Sequence, residues 1–457
     1  MTKILSLYTS HDGCVTYIVD NKIVFHTQID RHNKYKHSSL PSKELTDFLY
    51  SLDFDVLLIS QTPSHSTSEW YGIFEGSYKW YQKFKKFKII NFELSEHHLF
   101  HAYCALAWKK NIKNIVVCDG HGIKKNNFRE QESVYKFEKD ILHHINTESN
   151  NIGQHYAQSS FQVYDQYFTE GKLMAYSLHN DFARRKQKFF EEQMFKFISQ
   201  YNLEYDFLFT GGCAQNVIFN NTLLNKFTKV FCDPFNGDFG ISLGAANYFL
   251  KNSLKIESIY LGIPQDFNLD LFHDYKIIPT NYDEVANILQ NEPVAIFQSR
   301  SEQGQRGLGN RSLLMSPIQN DSHEKLNQIK KREWYRPFAC SILQEKAKEW
   351  FDMKGADESP YMMFVFEILF NKRNILKAGF AANQTSRIQT VKESDNLHYY
   401  NLIKSFEKIT NIPILVNTSL NLPGDVLVET FQDLKNMFQK SNLRYIYLPE
   451  IQKIICK

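Results

Sequence analysis

The beginning of the chain consists of short apolar segments separated by polar residues. Ile4–Leu7, Val15–Val19 and Ile23–Phe25 are apolar and rich in β-branched residues, and Asp20-Asn21-Lys22 separates the last two. Segments of this kind are typical of strands joined by tight turns. The pattern predicts an antiparallel β-meander.

Farther along, strand-like and helix-like segments alternate. Apolar runs predict buried strands at Val56–Ser60, Ile115–Cys118, Phe207–Phe209 and Val230–Cys232. Longer stretches predict helices at Glu96–Lys109, His155–Tyr167, Asp181–Tyr201 and Ile241–Leu250, with another beginning near Ala214. Strands that alternate with helices predict an α/β domain with a largely parallel sheet.

A second α/β unit follows a proline-containing connection. The segment from Lys251 to Asp283 contains Pro264 and Pro279 and is the expected link. For a chain of 457 residues, two domains are expected, and we place them at residues 1–260 and 261–457. The second domain is expected to begin with the strand Val294–Phe297 and to end with Ile414–Val416, a helix over Glu429–Ser441, and Tyr445–Leu448.

Composition excludes several classes of protein. A hydrophobic fraction of 43% argues against intrinsic disorder, and a formal net charge of +3 argues against an overall basic coat for nucleic acid. Seven cysteines without C-x-x-C spacing are typical of reduced thiols. We find no secretory signal and no apolar run long enough for a bilayer. These features predict a cytoplasmic protein without a membrane partner and leave the oligomeric state open.

His97, His101, Asp119 and Asp238 form a candidate metal site. The two histidines are four residues apart on a predicted helix and project from the same face. Asp119 follows a predicted strand, and Asp238 lies in FNGDFG just before a helix. Two imidazoles and two carboxylates suit a divalent, iron-like cation. The alternative for an isolated H-x-x-x-H pair is a histidine-rich helix face, and we interpret the neighbouring His98 as a packing residue.

Two further motifs precede helices or follow strands in the first domain. Gly211-Gly212 and Asn216 fit a turn that approaches a phosphate or ribose, although a glycine pair is also found in ordinary tight turns. His11 and Asp12 follow the first strand, where they could orient and deprotonate an acceptor hydroxyl. The alternative is that Asp12 only forms the turn.

The second domain concentrates cationic and hydrogen-bonding residues among glycines. Guanidinium groups bind phosphate through paired hydrogen bonds, and lysine supplies a point charge. The pattern predicts a site for ATP and a second phosphate compound, with a solvated charged surface as the alternative. The candidate residues are Glu302, Arg306, Asn310, Arg311, Ser312, Lys330, Arg332, Arg336, Arg387, Asn417, Thr418 and Ser419.

Eight motifs carry a resemblance to a known family. HHLFHAYCALA, EGKLMA, TGGCAQN, FNGDFGISLGAA, EQGQRGLGNRSLL, KREWYRPFACSIL, SRIQTV and NTSLNLPGD resemble, in this order, the carbamoyltransferase family. Its members carbamoylate nodulation factors, cephem antibiotics and aminoglycosides. The resemblance implies an actin/hexokinase-like (ASKHA) N-terminal domain and a YrdC-like α/β C-terminal domain.

The resemblance also implies a division of labour. The YrdC-like domain would form carbamoyladenylate from carbamoyl phosphate and ATP, with Mg²⁺ accompanying ATP. The N-terminal domain would transfer the carbamoyl group to an acceptor hydroxyl. By motif position, His97, His101, Asp119 and Asp238 match the family's metal site, and His11 and Asp12 match its transfer site.

The chain departs from the family near expected substrate contacts. The family's E-E-R-F-S-R-I-K-H corresponds to IDRHNKYKH, in which Ile29 replaces one carboxylate and Asp30 the other. AANQTSR keeps Arg387 of a longer family motif. The region between Asp119 and Asp238 is abbreviated.

The acceptor is left open between several alternatives. Segment Tyr78–Lys88, YKWYQKFKKFK, interleaves lysines with aromatic residues and could contact nucleic acid, although an amphipathic helix explains the same pattern. On the first interpretation the acceptor is a hydroxymethylpyrimidine in DNA, such as hydroxymethylcytosine. The alternatives are a small-molecule enzyme acting on a sugar or antibiotic hydroxyl, a non-catalytic nucleotide-binding regulator and, least favoured, a tRNA threonylcarbamoylation enzyme.

Overall fold

The chain forms two compact units. The computed structural model describes residues 2–60, 80, 84, 88–92, 96–109, 111–120, 124–125, 128–201, 203 and 206–457. The first unit comprises Met1–Leu173, Arg185–Asn216 and Lys226–Leu261. The second comprises Met174–Arg184, Val217–Asn225 and Gly262–Lys457. The assignment of one activity to residues 1–260 and another to 261–457 stays a prediction.

The first sheet of unit 1 has the order β3-β2-β1-β4-β5. Its strands are β1 Lys3–Tyr8, β2 Cys14–Val19, β3 Lys22–Gln28, β4 Val56–Ser60 and β5 Lys88–Asn91. β1, β2 and β3 pair antiparallel, which confirms the predicted meander, and β4 and β5 run parallel to β1. Strands β1, β2 and β4 are almost wholly buried, as their apolar sequences require.

The second sheet of unit 1 repeats this topology. Its strands are β6 Asn114–Cys118, β9 Glu132–Glu138, β10 Ile141–Glu148, β11 Asp206–Thr210 and β12 Lys229–Cys232, and a ribbon of β7 Lys124–Lys125 and β8 Phe128–Arg129 follows β6. The order is β10-β9-β6-β11-β12, with the same parallel and antiparallel pairings. The two sheets thus repeat one arrangement, as expected of the actin/hexokinase-like fold that the sequence predicts.

Helices connect the strands of both sheets. Among the described residues before 262, the helices are α1 Asp30–Asn33, α2 Lys43–Ser51, α3 His97–Ala107, α4 Ile152–Tyr164, α5 Glu170–Tyr176, α6 Asp181–Ile198, α7 Val217–Leu224 and α8 Ile241–Phe249. Helix α4 begins three residues earlier than predicted because the Glu132 carboxylate accepts hydrogen bonds from the N–H groups of Asn150 (2.8 Å) and Ile152 (3.1 Å). A 3-10 helix, Gly212–Gln215, precedes α7.

Unit 2 is built on one ten-stranded sheet of mixed direction. Its order is β13-β22-β21-β14-β15-β20-β16-β19-β18-β17. The strands are β13 Lys276–Pro279, β14 Val294–Phe297, β15 Arg311–Met315, β16 Ala339–Leu343, β17 Phe351–Asp352, β18 Val365–Ile368, β19 Thr385–Val391, β20 Ile414–Ser419, β21 Tyr445–Leu448 and β22 Lys453–Cys456. Unit 2 contains α7, and its helices after residue 262 are α9 Tyr282–Leu289, α10 Ser322–Lys330, α11 Ala347–Trp350, α12 Leu397–Thr410 and α13 Phe431–Lys440.

The elements predicted for the second domain are present, but the predicted ends were wrong: β13 and α9 precede the expected first strand, and β22 follows the expected last one. The three predicted strands are present as β14, β20 and β21, and the predicted helix is α13. Helix α13 begins after a capping box between Thr430 and Asp433. Among helices in the described ranges, none combines the length and apolarity that a bilayer crossing requires.

Candidate functional site

Helix α3 presents His97 and His101 from a buried position. Both side chains are almost inaccessible, and their ring centroids lie 4.9 Å apart. Helix α8 packs tightly against α3, since a Cβ atom at Gly244 would lie 1.9 Å from the carbonyl oxygen of Phe100. The small residues of both helices therefore allow the close packing that holds the histidines in place.

Two carboxylates complete the cluster that the sequence predicts. Asp119 follows β6, and Asp238 begins a 3-10 helix, Asp238–Gly240. The Nε2 atom of His97 lies 3.1 Å from Asp119 Oδ2 and 3.4 Å from Asp238 Oδ1. The Nε2 atom of His101 lies 3.4 Å and 3.5 Å from the same two oxygens. One donor atom from each of the four residues lies within 4.8 Å of all the others.

The arrangement of these four residues fits a divalent cation. A tetrahedral site with ligand distances of about 2.0–2.2 Å has edges of about 3.3–3.6 Å, close to the spacings observed. Both ring nitrogens of His101 are buried and lack a hydrogen-bond partner among the described residues, although Nε2 faces two carboxylates. Imidazole and carboxylate donors suit several transition metals. The preference for iron stays a prediction.

The other oxygen of each carboxylate is held by the protein. Asp119 Oδ1 accepts hydrogen bonds from the N–H groups of Gly120 (2.7 Å) and Gly212 (3.3 Å). Asp238 Oδ2 accepts one from the Tyr8 hydroxyl at 2.6 Å. Each aspartate is thereby oriented with one oxygen toward the histidines. Tyr8 is not among the residues predicted from the sequence, although its place at the end of a central strand, where ligands bind in open α/β sheets, was a usable signal.

The charges of neighbouring side chains shift the pKa values of the residues in this cluster. Burial raises the pKa of Asp119 and Asp238, but His97 and His101 outweigh it, together with His11 in the case of Asp238, and hold both pKa values well below their usual range. Burial lowers the pKa of His97, yet the two aspartates raise it to about 10. Without a cation, His97 is therefore protonated, and a cation must displace that proton.

His98 differs from its neighbours on α3. Burial lowers its pKa well below the usual value, and its Nδ1 lies 2.8 Å from the Ser133 hydroxyl. It lies outside the group of possible metal ligands found among the described residues. Its contacts agree with the packing role that the sequence suggests.

His11 and Asp12 lie beside the metal cluster. His11 Nε2 is 3.3 Å from Asp238 Oδ2, and His11 Nδ1 is 3.2 Å from Asp12 Oδ2. The other Asp12 oxygen is 2.7 Å from Nδ1 of His37, a residue that sequence analysis left unassigned. Burial alone would lower the pKa of His11, but Asp238 and Asp12 raise it to about 9. The structure thus brings both predicted transfer residues to one edge of the cluster.

The glycine pair supports the metal cluster. A Cβ atom at Gly211, whose φ is 84°, would lie 2.3 Å from the carbonyl oxygen of Cys118, and one at Gly212 would lie 2.9 Å from Asp119 Oδ1. Asn216 exchanges side-chain amide hydrogen bonds with Gln187 at 3.0 and 3.1 Å. Nucleotide binding by Gly211, Gly212 and Asn216 stays a prediction.

Arg306, Arg332, Arg336 and Arg387 form an arginine cluster in unit 2. Burial and the neighbouring arginines lower the pKa of Arg306 well below its usual value and that of Arg332 to about 9. Burial and Arg336 lower the pKa of Arg387 to about 10. Arg336 has an ion pair with Glu333 at 3.2 Å. A cluster of arginines that repel one another is suited to binding a polyanion.

Other residues predicted to bind phosphate have structural contacts. Arg311 is fully buried, stacks 3.6 Å from the Phe297 ring and donates to the carbonyl oxygens of Gln298 (2.5 Å) and Ser299 (3.1 Å), among others. Lys330 donates to the carbonyl oxygens of Ser419 and Asn421, both at 2.7 Å. These contacts give Arg311 and Lys330 a role in holding loops together.

The remaining predicted residues of unit 2 also have described partners. Thr418 Oγ1 accepts from Arg332 at 2.9 Å and therefore contacts the arginine cluster directly. Glu302 accepts from the N–H groups of Leu308 and Arg311, and Ser312 Oγ from that of Gly309. Asn310 donates to the carbonyl oxygen of Arg300, Asn417 to the Ser341 hydroxyl, and Ser419 to Asn421 Oδ1. Binding of ATP and carbamoyl phosphate by this set stays a prediction.

Comparisons with solved structures give only distant similarity. Full-length HypF in its phosphate- and nucleotide-bound form is 12% identical, with a TM-score of 0.35 and 56% of each chain covered. Component A of (R)-2-hydroxyglutaryl-CoA dehydratase from Acidaminococcus fermentans is 12% identical, with a TM-score of 0.34, and the match covers 55% of this chain and 99% of that one. TM-scores this low support no statement about fold or function.

Sequence comparisons are more specific. Residues 285–453 match the family model described as "Carbamoyltransferase C-terminus". Nodulation protein NolNO of Sinorhizobium fredii is 35% identical over 256 residues, which cover 51% of this chain and 37% of that protein. Nodulation protein NolO of Bradyrhizobium diazoefficiens is 34% identical over 257 residues, covering 51% and 46%. The matched region thus spans less than half of the length of these relatives. By these matches, residues 285–453 belong to the C-terminal part of the carbamoyltransferase family.

Proposed function

We propose that the chain is an ATP-dependent O-carbamoyltransferase that modifies a hydroxyl group of a small-molecule acceptor. The observation that carries this proposal is the convergence of His97, His101, Asp119 and Asp238 beside His11. The match to the carbamoyltransferase family supports the group transferred. The matched relatives are named nodulation proteins.

The first reaction is assigned to unit 2. Carbamoyl phosphate loses phosphate to water, and the resulting carbamate oxygen attacks the α-phosphorus of ATP to give carbamoyladenylate and pyrophosphate. The arginine cluster would bind the phosphate groups and stabilise the negative charge that develops on them. The low pKa values of Arg306, Arg332 and Arg387 support this role, because an anion would relieve the repulsion between them.

The second reaction is assigned to unit 1. The acceptor oxygen attacks the carbamoyl carbon, AMP leaves, and Nε2 of His11 accepts the hydroxyl proton, while Asp12 holds Nδ1. His11 must be neutral for this step. With a cation bound, Asp238 would hold the His11 proton less strongly, because the cation would share the charge of the Asp238 carboxylate. A divalent cation held by the four ligands would supply positive charge that polarises an oxygen of the intermediate.

A small-molecule acceptor is better supported than DNA. The DNA hypothesis rested on Tyr78–Lys88, most of which lies outside the described residues. The matched family and relatives favour the alternative of a sugar or other small-molecule hydroxyl. The regulator hypothesis is less favoured, because the complete set of candidate donors is present and converges.

The proposal is tested by measuring the two reactions separately. Pyrophosphate release from ATP and carbamoyl phosphate reports the first, and the mass gain of one carbamoyl group on candidate acceptors reports the second. Arg306→Ala is expected to stop pyrophosphate release, with Arg444→Ala, a surface arginine paired with Glu292, as the control. If the wild-type protein released no pyrophosphate, the proposed activity would be refuted.

The metal site is tested by His101→Ala. This variant is expected to keep pyrophosphate release and lose transfer, because only the second reaction is assigned to the metal site. His143→Ala, which removes an exposed imidazole of β10, is the control. If His101→Ala also stopped pyrophosphate release, the assignment of one reaction to each unit would be wrong.

A further inference from the structure

An aromatic side chain, Phe168, lies beside the proposed transfer site. The ring of Phe168 stacks on His37 with centroids 3.7 Å apart and an interplanar angle of 17°. His37 in turn contacts Asp12, and the Phe168 ring lies 6.3 Å from the His11 ring. Two rings at that separation are within contact range. The ring of a ligand packed on Phe168 is therefore close enough to His11 for one of the ligand's substituents to reach the imidazole.

Phe168 has an uncommon backbone conformation. Its φ angle is 59°, which is uncommon for a bulky residue, and 39% of its surface is exposed. The next residue is fixed, because the buried Thr169 hydroxyl lies 2.7 Å from that of Ser160 and donates to the carbonyl oxygen of Gln166. The backbone thus keeps an exposed apolar ring beside a polar site.

Carboxylates surround the same position. Asp12, Asp30 and Glu170 all interact electrostatically with His37. Asp30 Oδ1 is buried and has no hydrogen-bond partner among the described residues. Burial raises the pKa of Asp30 to about 6 and also raises that of Glu170. A carboxyl group accepts hydrogen bonds from hydroxyl and amino groups in either protonation state, and it repels phosphates when ionised. The surroundings of Phe168 therefore favour a neutral or cationic polyol over a nucleic acid.

We propose that Phe168 and His37 form a platform for the pyranose ring of a sugar acceptor. The C–H face of the ring packs on Phe168, and Asp30 and Glu170 accept hydrogen bonds from its hydroxyl groups. The reacting hydroxyl faces His11. An apolar wall with a few oriented polar groups is typical of small-ligand sites. The platform deepens the proposed function and rests on it for the identity of the reaction, and Phe168 is its specificity-determining residue.

Saturation-transfer NMR on the full-length protein tests the platform. The probes are the methyl pyranosides of glucose, galactose, mannose and N-acetylglucosamine, with open-chain sorbitol as the matched polyol. We expect transfer to ring C–H protons of at least one pyranoside and none to sorbitol. Loss of the ring contact in Phe168→Ala is expected to weaken binding about 2- to 12-fold, the range for an aromatic contact.

Two further variants separate the ring contact from folding. Phe168→Tyr keeps the ring and is expected to keep binding. Phe168→Asn removes the ring but tolerates a positive φ, so it is expected to weaken binding by the same factor as Phe168→Ala without loss of thermal stability. Phe189→Ala, at another exposed phenylalanine, is expected to bind like the wild type.

The outcomes distinguish this proposal from the proposed function. No transfer to any pyranoside, unchanged binding by Phe168→Asn, or binding of thymidine in preference to all pyranosides would each overturn the platform. None of these results depends on pyrophosphate release. Sugar binding that depends on Phe168, in a protein without pyrophosphate release, would support the platform and refute the proposed reaction.

Discussion

Replacing Tyr8 by phenylalanine tests how the protein orients Asp238. The change removes only the hydroxyl that donates to Asp238 Oδ2 at 2.6 Å, from a side chain that is 1% exposed. Hydrogen bonds to charged groups contribute about 1.5–3 kcal/mol. Without this bond, Asp238 can turn both oxygens away from the histidines. Cation binding must then also turn Asp238 back toward the histidines.

The expected effect is a 10- to 100-fold weaker affinity for a divalent cation, which is the typical result of removing a partner of a metal ligand. That range corresponds to about 1.4–2.8 kcal/mol, in agreement with the energy of the lost bond. Titration of metal-free protein with Co²⁺, followed by visible absorption, measures the dissociation constant directly. Circular dichroism and thermal denaturation show whether the variant is folded.

Tyr17→Phe is the matched control for this experiment. The Tyr17 hydroxyl donates to the carbonyl oxygen of Asp53 at 2.7 Å, so the variant loses the same atom and one hydrogen bond on the neighbouring strand. Its Co²⁺ affinity is expected to equal that of the wild type. An unchanged affinity in Tyr8→Phe would refute the reasoning, because Asp238 would then not depend on Tyr8 for its orientation.

Three further predictions follow from individual contacts. Gly212→Ala should weaken Co²⁺ binding, because its Cβ atom would lie 2.9 Å from Asp119 Oδ1. Gly120→Ala is the control, because its Cβ atom would meet nothing within 4 Å, and its Co²⁺ affinity should not change. Equal affinities of the two variants would contradict the prediction. Arg306→Met should raise the melting temperature of the ligand-free protein by at least about 2 °C, by relieving repulsion in the arginine cluster, and a lower value in scanning calorimetry would argue against that repulsion. Burial raises the Glu132 pKa from 4.5 to about 7, so the wild type loses stability as pH rises through this range, by up to about 3 kcal/mol. The free energy of unfolding of Glu132→Gln, measured in urea, should therefore rise relative to that of the wild type between pH 4.5 and 8. A difference that does not change with pH would refute the pKa shift.

The fold was predictable where local pattern decides it. The meander β1–β3 and the strand β14 follow from apolar runs bounded by turn residues. The hairpin of β9 and β10 was missed because β10 is an edge strand whose residues are mostly exposed, so its sequence lacks alternation. The repetition of one strand order in two sheets is a property of long-range pairing, which no local pattern contains.

The candidate ligands were predictable because helical spacing and motif order identify them. Their partners were not predicted. Tyr8 at the end of a strand and His37 at the end of IDRHNKYKH had signals that could have been used, whereas Phe168 reaches the site through tertiary structure and nothing in its neighbouring sequence marks it. Arg306 and Arg311 both lie among glycines in one motif, yet Arg311 donates to backbone carbonyl oxygens while Arg306 faces other arginines. Only packing separates the two roles.

Charge balance connects the metal centre with its surroundings. Two ionised carboxylates buried together require compensating positive charge, which either protons on the histidines or a bound cation can supply. Hydrogen bonds from Tyr8 and from the N–H groups of Gly120 and Gly212 stabilise the ionised carboxylates in both states, because they bind the oxygens that face away from the histidines. Exchange of protons for a cation can therefore proceed without rearrangement of the aspartates. A site built in this way is ready for a cation before the cation arrives, which is why the orientation of Asp238 by Tyr8 should affect affinity more than stability.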